Sequence, residues 1–322
     1  MKHKLMALLM AAAMLLSLTA CGGTSAGYDD GKTVIGICQL APHAALDAAS
    51  QGFMDALTEK LGEGNVEFSL QNAAGDPATC STICSTFANE GVDLIMANAT
   101  AALAAAHAAT ADIPILGTSI TDYATALDLD SWNGTVGGNI SGTSDLAPLD
   151  QQAAMLQQLF PEAKKVAMLY CSGESNSLYQ VNVVSGVLSK AGIEVENFTF
   201  TDSTDIAVVT QNACDWADVI YIPTDNVAAN CTEAINNVAS VAMVPIVCGD
   251  EGTCVGCGVA TLCIDYYDLG RATGLMAYEI LVNGADISTM AVQTAPEVTA
   301  KYNPTLCALY GIEVPADFVA IG

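Results

Sequence analysis

The side chains able to do acid–base, nucleophilic or metal chemistry are unevenly supplied: 35 Asp and Glu stand against nine Lys and Arg, with three His and twelve Cys. One closely spaced metal-type pair is Cys254-x-x-Cys257, with Cys248 and Cys263 near in sequence. Such a pair can hold zinc or cycle as a dithiol, but a structural zinc site needs further ligands at suitable spacing. A Gly-rich loop with incidental thiols is the plainer reading. His43 follows an apolar run and has no nucleophile in its vicinity, and His107 sits in an Ala-rich helical stretch. His-Glu-x-x-His and a phosphate-binding Gly-rich loop ending in Lys are absent, and Gly-x-Ser-x-Gly occurs only as Gly23–Gly27 in the polar stretch after Cys21. The residue types therefore point away from catalysis and towards recognition by hydroxyls, amides and carboxylates. Arg271 is the single Arg, and a structural ion pair with a neighbour such as Asp268 or Glu279 is its expected role.

The recognition residues gather at the ends of strand-like runs. Strands are expected at Thr33–Leu40, Val66–Asn72, Val92–Asn98 and Pro114–Ile120, and again at Lys165–Cys171, Ile193–Phe200, Asp218–Thr224, Pro245–Gly249 and Val259–Ile264. Amphipathic stretches alternate with them, as in Ala45–Leu61, where Phe53, Ala56, Leu57 and Leu61 follow a 3.6-residue period. Near-continuous apolar strands separated by helices imply parallel sheets covered on both faces, an α/β fold. Two successive sets imply two similar lobes, each a parallel sheet flanked by helices. The expected division is residues 33–141 with 262–290, and 142–261 with 291–322. The Gly- and Thr-rich stretch Asn133–Asp145 is the expected first hinge. Ligands of open parallel sheets bind beyond the carboxyl ends of the strands. There the first lobe offers Gln39, His43, Asn72, Thr100, Ser119, Thr121 and Asp122, and the second offers Ser175, Asn176, Thr224, Asp225, Asn226, Asp250 and Glu251. Two such rims across a hinge form a polar cleft.

The start of the chain has a different character. Lys2 and Lys4 precede an apolar run from Leu5 to Leu16, and Leu18-Thr19-Ala20-Cys21 follows. This is the layout of a secretory signal peptide (1–20) ending in a lipobox, with Cys21 as the lipidation site and 21–32 as a flexible tether. A formal net charge of −26 argues against nucleic acid and anionic lipid as partners. Membrane association is then expected through the lipid alone, on the extracytoplasmic face. The eleven cysteines after Cys21 are an odd number, and several lie in strand-like runs, so most are read as free buried thiols.

Nine blocks occur in order: IGICQLAPHAALDAASQGFMDAL (35–57), QNAAGDPAT (71–79), NATAAL (98–103), DIPILGTSITD (112–122), GGNISGTSD (137–145), SGESNS (172–177), YIPTDN (221–226), DEG (250–252) and IDYYDLGRATG (264–274). The set resembles the ABC-transporter substrate-binding lipoproteins, including members that take up aromatic amino acids such as tryptophan. Ala44 and Ala101 stand where that family commonly has Pro, and Cys38, Cys171 and Cys263 replace small apolar residues. The resemblance implies a type I periplasmic-binding-protein fold and no enzymatic activity. It also implies a membrane permease as partner for a chain that acts as a monomer without a cofactor.

With so little base in the cleft, a zwitterion or cation suits it better than a dianion. A ligand ammonium needs a carboxylate, and Asp145, Asp225 and Glu251 are the candidates by position and resemblance. Asp225 reads equally as an N-cap. A ligand carboxylate would be met by hydroxyls and by amides at helix starts, at Thr100, Ser175 and Asn176. An aromatic side chain wants flat apolar walls. Tyr266 is the best candidate, with Tyr123 and Phe53 behind it; Phe53 lies on a helix face that reads as core. Two alternatives share the cleft or the chain: a binding protein that reports to a membrane sensor, and a metal or redox role at Cys254 and Cys257.

Overall fold

A computed structural model describes residues 31–321 apart from Pro296. The leader, Cys21 and most of the tether lie outside the described residues. In the first lobe β1 (Thr33–Gln39), α1 (Ala44–Leu61), β2 (Val66–Asn72), α2 (Pro77–Glu90), β3 (Leu94–Asn98), α3 (Thr100–Ala109), β4 (Ile115–Ile120), α4 (Tyr123–Ala126) and β5 (Ile140–Ser144) follow one another. The strands form a parallel six-stranded sheet in the order β11-β5-β4-β3-β1-β2, where β11 (Gln293–Thr294) comes from far down the chain. Side chains on β1 alternate as the pleat demands. Ile35 and Ile37 pack with Phe53 and Leu57 of α1, while Val34 and Cys38 face Phe87 of α2 on the other side.

The second lobe contains α5 (Leu149–Leu159), β6 (Lys165–Cys171), α6 (Ser175–Lys190), β7 (Glu194–Phe200), α7 (Ile206–Trp216) and β8 (Val219–Ile222). It continues through α8 (Asn226–Asn230), α9 (Thr232–Ala242), β9 (Ile246–Cys248), α10 (Glu251–Cys257) and β10 (Ala260–Cys263). The chain then returns to the first lobe as α11 (Tyr266–Leu281) and β11. It ends in the second with β12 (Thr299–Tyr302), α12 (Pro304–Tyr310) and β13 (Val319–Ala320). The second sheet runs β13-β12-β10-β9-β8-β6-β7, and only the β10–β12 pairing is antiparallel.

The lobes are joined by three crossings, which lie a few residues beyond the expected positions. Strand β5 stays in the first sheet to Ser144, β10 stays in the second to Cys263, and β11 returns the first sheet to Thr294. The stretch expected as the first hinge thus contains a paired strand. Its glycines answer a packing need: a Cβ on Gly142 would lie 2.0 Å from the Gly117 carbonyl oxygen and 2.5 Å from the Tyr123 hydroxyl. Small residues let β5 approach β4.

Helices α1 and α11 lie against each other along the first lobe. A Cβ at Gly52 would sit 2.1 Å from the Tyr267 carbonyl oxygen, and one at Gly270 2.0 Å from that of Ala49. Arg271 pairs with Glu59 of α1 at 2.7 Å, not with Asp268 or Glu279, because this close approach brings α1 beside it. All cysteines from Cys38 onward are free, and all but the half-buried Cys231 are buried. Cys38 shares a pocket with Cys80 and Cys84, and those neighbouring sulfurs, with burial, push its thiol upward and keep it protonated. Among the described residues no group of three or more His, Cys, Asp or Glu is placed to hold a metal, and no helix is long and apolar enough to cross a membrane.

Candidate functional site

Between the lobes lies a cavity lined from both sides. The first lobe lines it with His43, Ala45 and Leu46 at the start of α1, Thr100 at the start of α3, and Ser119 and Thr121 at the end of β4. The second lobe contributes Asn176 from α6, Thr224 to Asn226 and Ala229 around α8, and Asp250. Asp145 and Tyr266 close it at two of the crossings. His43 Nε2 donates to Asn226 Oδ1 at 3.1 Å, a hydrogen bond that spans the cleft.

The helix starts facing this space are left open. His43 precedes α1 and Ala99 precedes α3, and neither gives a side-chain cap to its helix. Ala99 holds φ +90°, a conformation costly for a residue with a Cβ. Each helix start therefore presents unsatisfied N–H groups and the positive end of its dipole, an arrangement suited to a carboxylate. Ser119 also has positive φ, +56°, which turns its side chain out of the regular pleat where β4 slips register against β5. Its hydroxyl is buried and has no partner.

The acids play distinct parts. Asp145 is 6 % exposed. Tyr266 Oη donates to its Oδ2 at 2.8 Å, while its Oδ1 has no partner. Burial raises its pKa to about 6 against the opposing hydrogen bonds from Tyr266 and Thr121. Asp225 is saturated: it accepts from the Ala228 amide at 2.8 Å, the Cys171 amide at 2.7 Å and the Ser177 hydroxyl at 2.7 Å. Burial, and then the Glu174 carboxylate, still hold it above the usual carboxylate range. Asp225 is thus the N-cap of α8 and ties α8 to β6 and α6. Asp250 accepts from the amide and hydroxyl of Thr253 and caps α10.

Other expected site residues are placed elsewhere. Gln39 is buried beneath the site: it donates to the Ala41 carbonyl and Asp47, and accepts from Ser50, which in turn accepts from Asn98. This network fastens the start of α1 over β1 and β3. Asn72 is exposed and accepts from the Ala74 amide in a turn, and Asp122 caps α4. Ser175 lines a wider groove at the mouth of the cleft instead of the cavity. Glu251 is turned away and bound to Lys301 at 2.6 Å, and its neighbour Asp250 takes the place expected of it. Tyr123 is not a wall of the cleft. It lies in the core, donates to the Gly117 and Thr143 carbonyls and stacks on Trp132. Phe53 is core as well. Sequence reading put Thr121, Thr224 and Asp250 on the rims without naming them as ligand contacts. It missed Ala45, Leu46 and Ala229, which carry no polar signal.

Comparison with known proteins agrees with this geometry. A curated tyrosine-binding protein from Clostridioides difficile is 34% identical over 98% of this chain and 94% of its own length. The structure of a Streptococcus pneumoniae ABC domain in complex with L-Trp superposes with TM-score 0.86 at 29% identity, over 90% of this chain and 100% of that one. The ligand-free, open structure of a Clostridium difficile substrate binding protein with adhesive properties gives TM-score 0.69 at 34% identity, over 90% and 99%. The sequence-nearer of these two structures is thus the less similar in shape, as expected if the lobes of this chain are closed. Its architecture is that of type I periplasmic binding proteins. Residues 34–320 match the model of the ABC transporter substrate binding protein family, and the chain belongs to that non-enzymatic family.

Proposed function

We propose that this chain is the lipid-anchored receptor of an ABC importer, closing its two lobes around one aromatic amino acid outside the membrane. The observation that carries the ligand class is the pair of buried, unpartnered atoms Asp145 Oδ1 and Ser119 Oγ facing the cavity. Leaving such atoms unpaired costs about 1–3 kcal/mol each, and a ligand ammonium satisfies both. The open starts of α1 and α3 meet its carboxylate. Tyr266, Leu46 and Ala45 supply apolar surface for a ring. The names of the relatives, one binding tyrosine and one complexed with tryptophan, favour an aromatic side chain.

Cys21 is the anchor, the residues up to about Lys32 are the tether, and a membrane permease receives the ligand from the monomeric receptor. The direct test is thermal unfolding of the chain from Cys21→Ser onward against the twenty amino acids. Tyrosine or tryptophan at about 100 times its dissociation constant should add about 2.7 kcal/mol. A response to none of the twenty overturns the ligand assignment, while palmitate labelling lost in Cys21→Ser cells tests the anchor separately.

A further inference from the structure

The cavity has a charge problem that its own residues do not solve. Asp145, Asp225 and Asp250 all line it, each 6 % exposed or less. No Lys or Arg is among the lining residues; Arg271 and Lys301 are committed to Glu59 and Glu251 elsewhere. Asp225 and Asp250 hold hydrogen bonds on both carboxylate oxygens. Asp145 does not, because its Oδ1 is buried and unpartnered. An ionised carboxylate out of water with one bare oxygen and no counter-cation is strongly disfavoured. The groups around Asp145 are the Tyr266 hydroxyl from α11, the Thr121 hydroxyl after β4, the Tyr123 ring from α4 and the Asp250 carboxylate from the second lobe. All are neutral or negative. His43 lines the same cavity.

We propose that Asp145 is a proton–ligand exchange site: in mildly acidic solution the empty protein holds a proton on this carboxyl, and the ammonium of the incoming amino acid displaces it to solvent. The inference rests on the amino-acid reading above and deepens it. Where the carboxyl is protonated, one cation leaves as another arrives, so the buried charge is compensated in both states. The burial that raises this group to about 6 places the exchange in a range where the free amino acid stays a zwitterion. Ligand affinity is then undiminished above the exchange and falls below it, since the proton competes with the ammonium.

Isothermal titration of the chain with L-tyrosine and L-tryptophan, at about pH 5 and about pH 7 in pairs of buffers differing in ionisation enthalpy, tests this. Competition at a group titrating near 6 predicts roughly tenfold weaker binding at the lower pH, with close to one proton released per ligand there and about a tenth of one at the higher pH. Tyr266→Phe removes the hydroxyl that favours the charged form and should move the midpoint of the affinity–pH curve upward. His43→Gln should leave the curve's shape intact. Equal affinities and no buffer dependence overturn the exchange while leaving the amino-acid reading standing. A response abolished in His43→Gln overturns it by assigning the proton to the imidazole. Binding of neither amino acid at either pH overturns the reading itself, and the exchange with it.

Discussion

At the residue scale, Asp145 and Asp225 look alike in sequence, each an acid after a run of strand-forming or polar residues, yet they do different work. Asp225 spends its oxygens on Ala228, Cys171 and Ser177; Asp145 keeps one oxygen for the cavity. Asp145→Asn should therefore weaken amino-acid binding by about 2–5 kcal/mol, the cost of losing one partner of a buried charge pair, with the melting temperature of the empty protein unchanged or raised. Asp225→Asn should instead lower the melting temperature first, because three donors in the second lobe share its two oxygens and an amide leaves only one to accept. Calorimetry beside titration separates the two outcomes. His43 Nε2 bonds Asn226 across the cleft, so His43→Ala should raise the dissociation constant several-fold, for about 1 kcal/mol of lost closed-state hydrogen bond. The cavity-lining polar residues at strand ends were legible from the rule that parallel sheets bind beyond their carboxyl edges. Which oxygen remains unpaired was not, because that depends on partners 121 residues away, as between Tyr266 and Asp145.

At the element scale, alternation of apolar strands and amphipathic helices disclosed both lobes, and the elements it missed failed for physical reasons. Strand β5 reads ISGTS and resembles a linker, since Gly142 and its small neighbours are there to let β5 lie against Gly117 and Tyr123. The stretch from Asp225 to Ser240 forms two helices, α8 and α9, which break at Cys231. Strand β12 is invisible to a parallel-sheet rhythm because it pairs antiparallel with β10. The α1–α11 contact is the element interface most sensitive to substitution. Gly270→Ala would drive a methyl group to 2.0 Å from the Ala49 carbonyl oxygen. Overpacking of this kind costs about 1–3 kcal/mol or more, seen as a lower melting temperature. It should also weaken ligand binding, since the start of α1 lines the cavity.

At the scale of the whole molecule, acid dominates. The formal net charge is −26, so self-repulsion works against the folded state and added salt relieves it. Asp145 acts in the same direction. Its folded-state pKa is raised, so the stability tied to it is complete below the unfolded value and is lost as pH rises through about 6. Carboxylates held low at the surface, such as Asp76 and Asp202, act oppositely and only at more acidic pH. The ligand-free protein should consequently melt higher at about pH 5 than at about pH 7, and higher in added salt, by scanning calorimetry.

The path of the chain between the lobes has a consequence for biosynthesis. Ile35, Ile37, Phe53, Leu57 and Leu116 are covered in part by Met276 and Ala277 of α11, which emerges only after the entire second sheet except its last two strands. An N-terminal lobe that must wait for its final helix keeps an apolar face bare throughout synthesis. The contact that ends the wait closes a loop of roughly two hundred residues, a slow step by chain entropy. The export proposed above would gain from that delay, and truncations short of α11 should yield a collapsed, aggregation-prone first lobe beside a nearly complete second one.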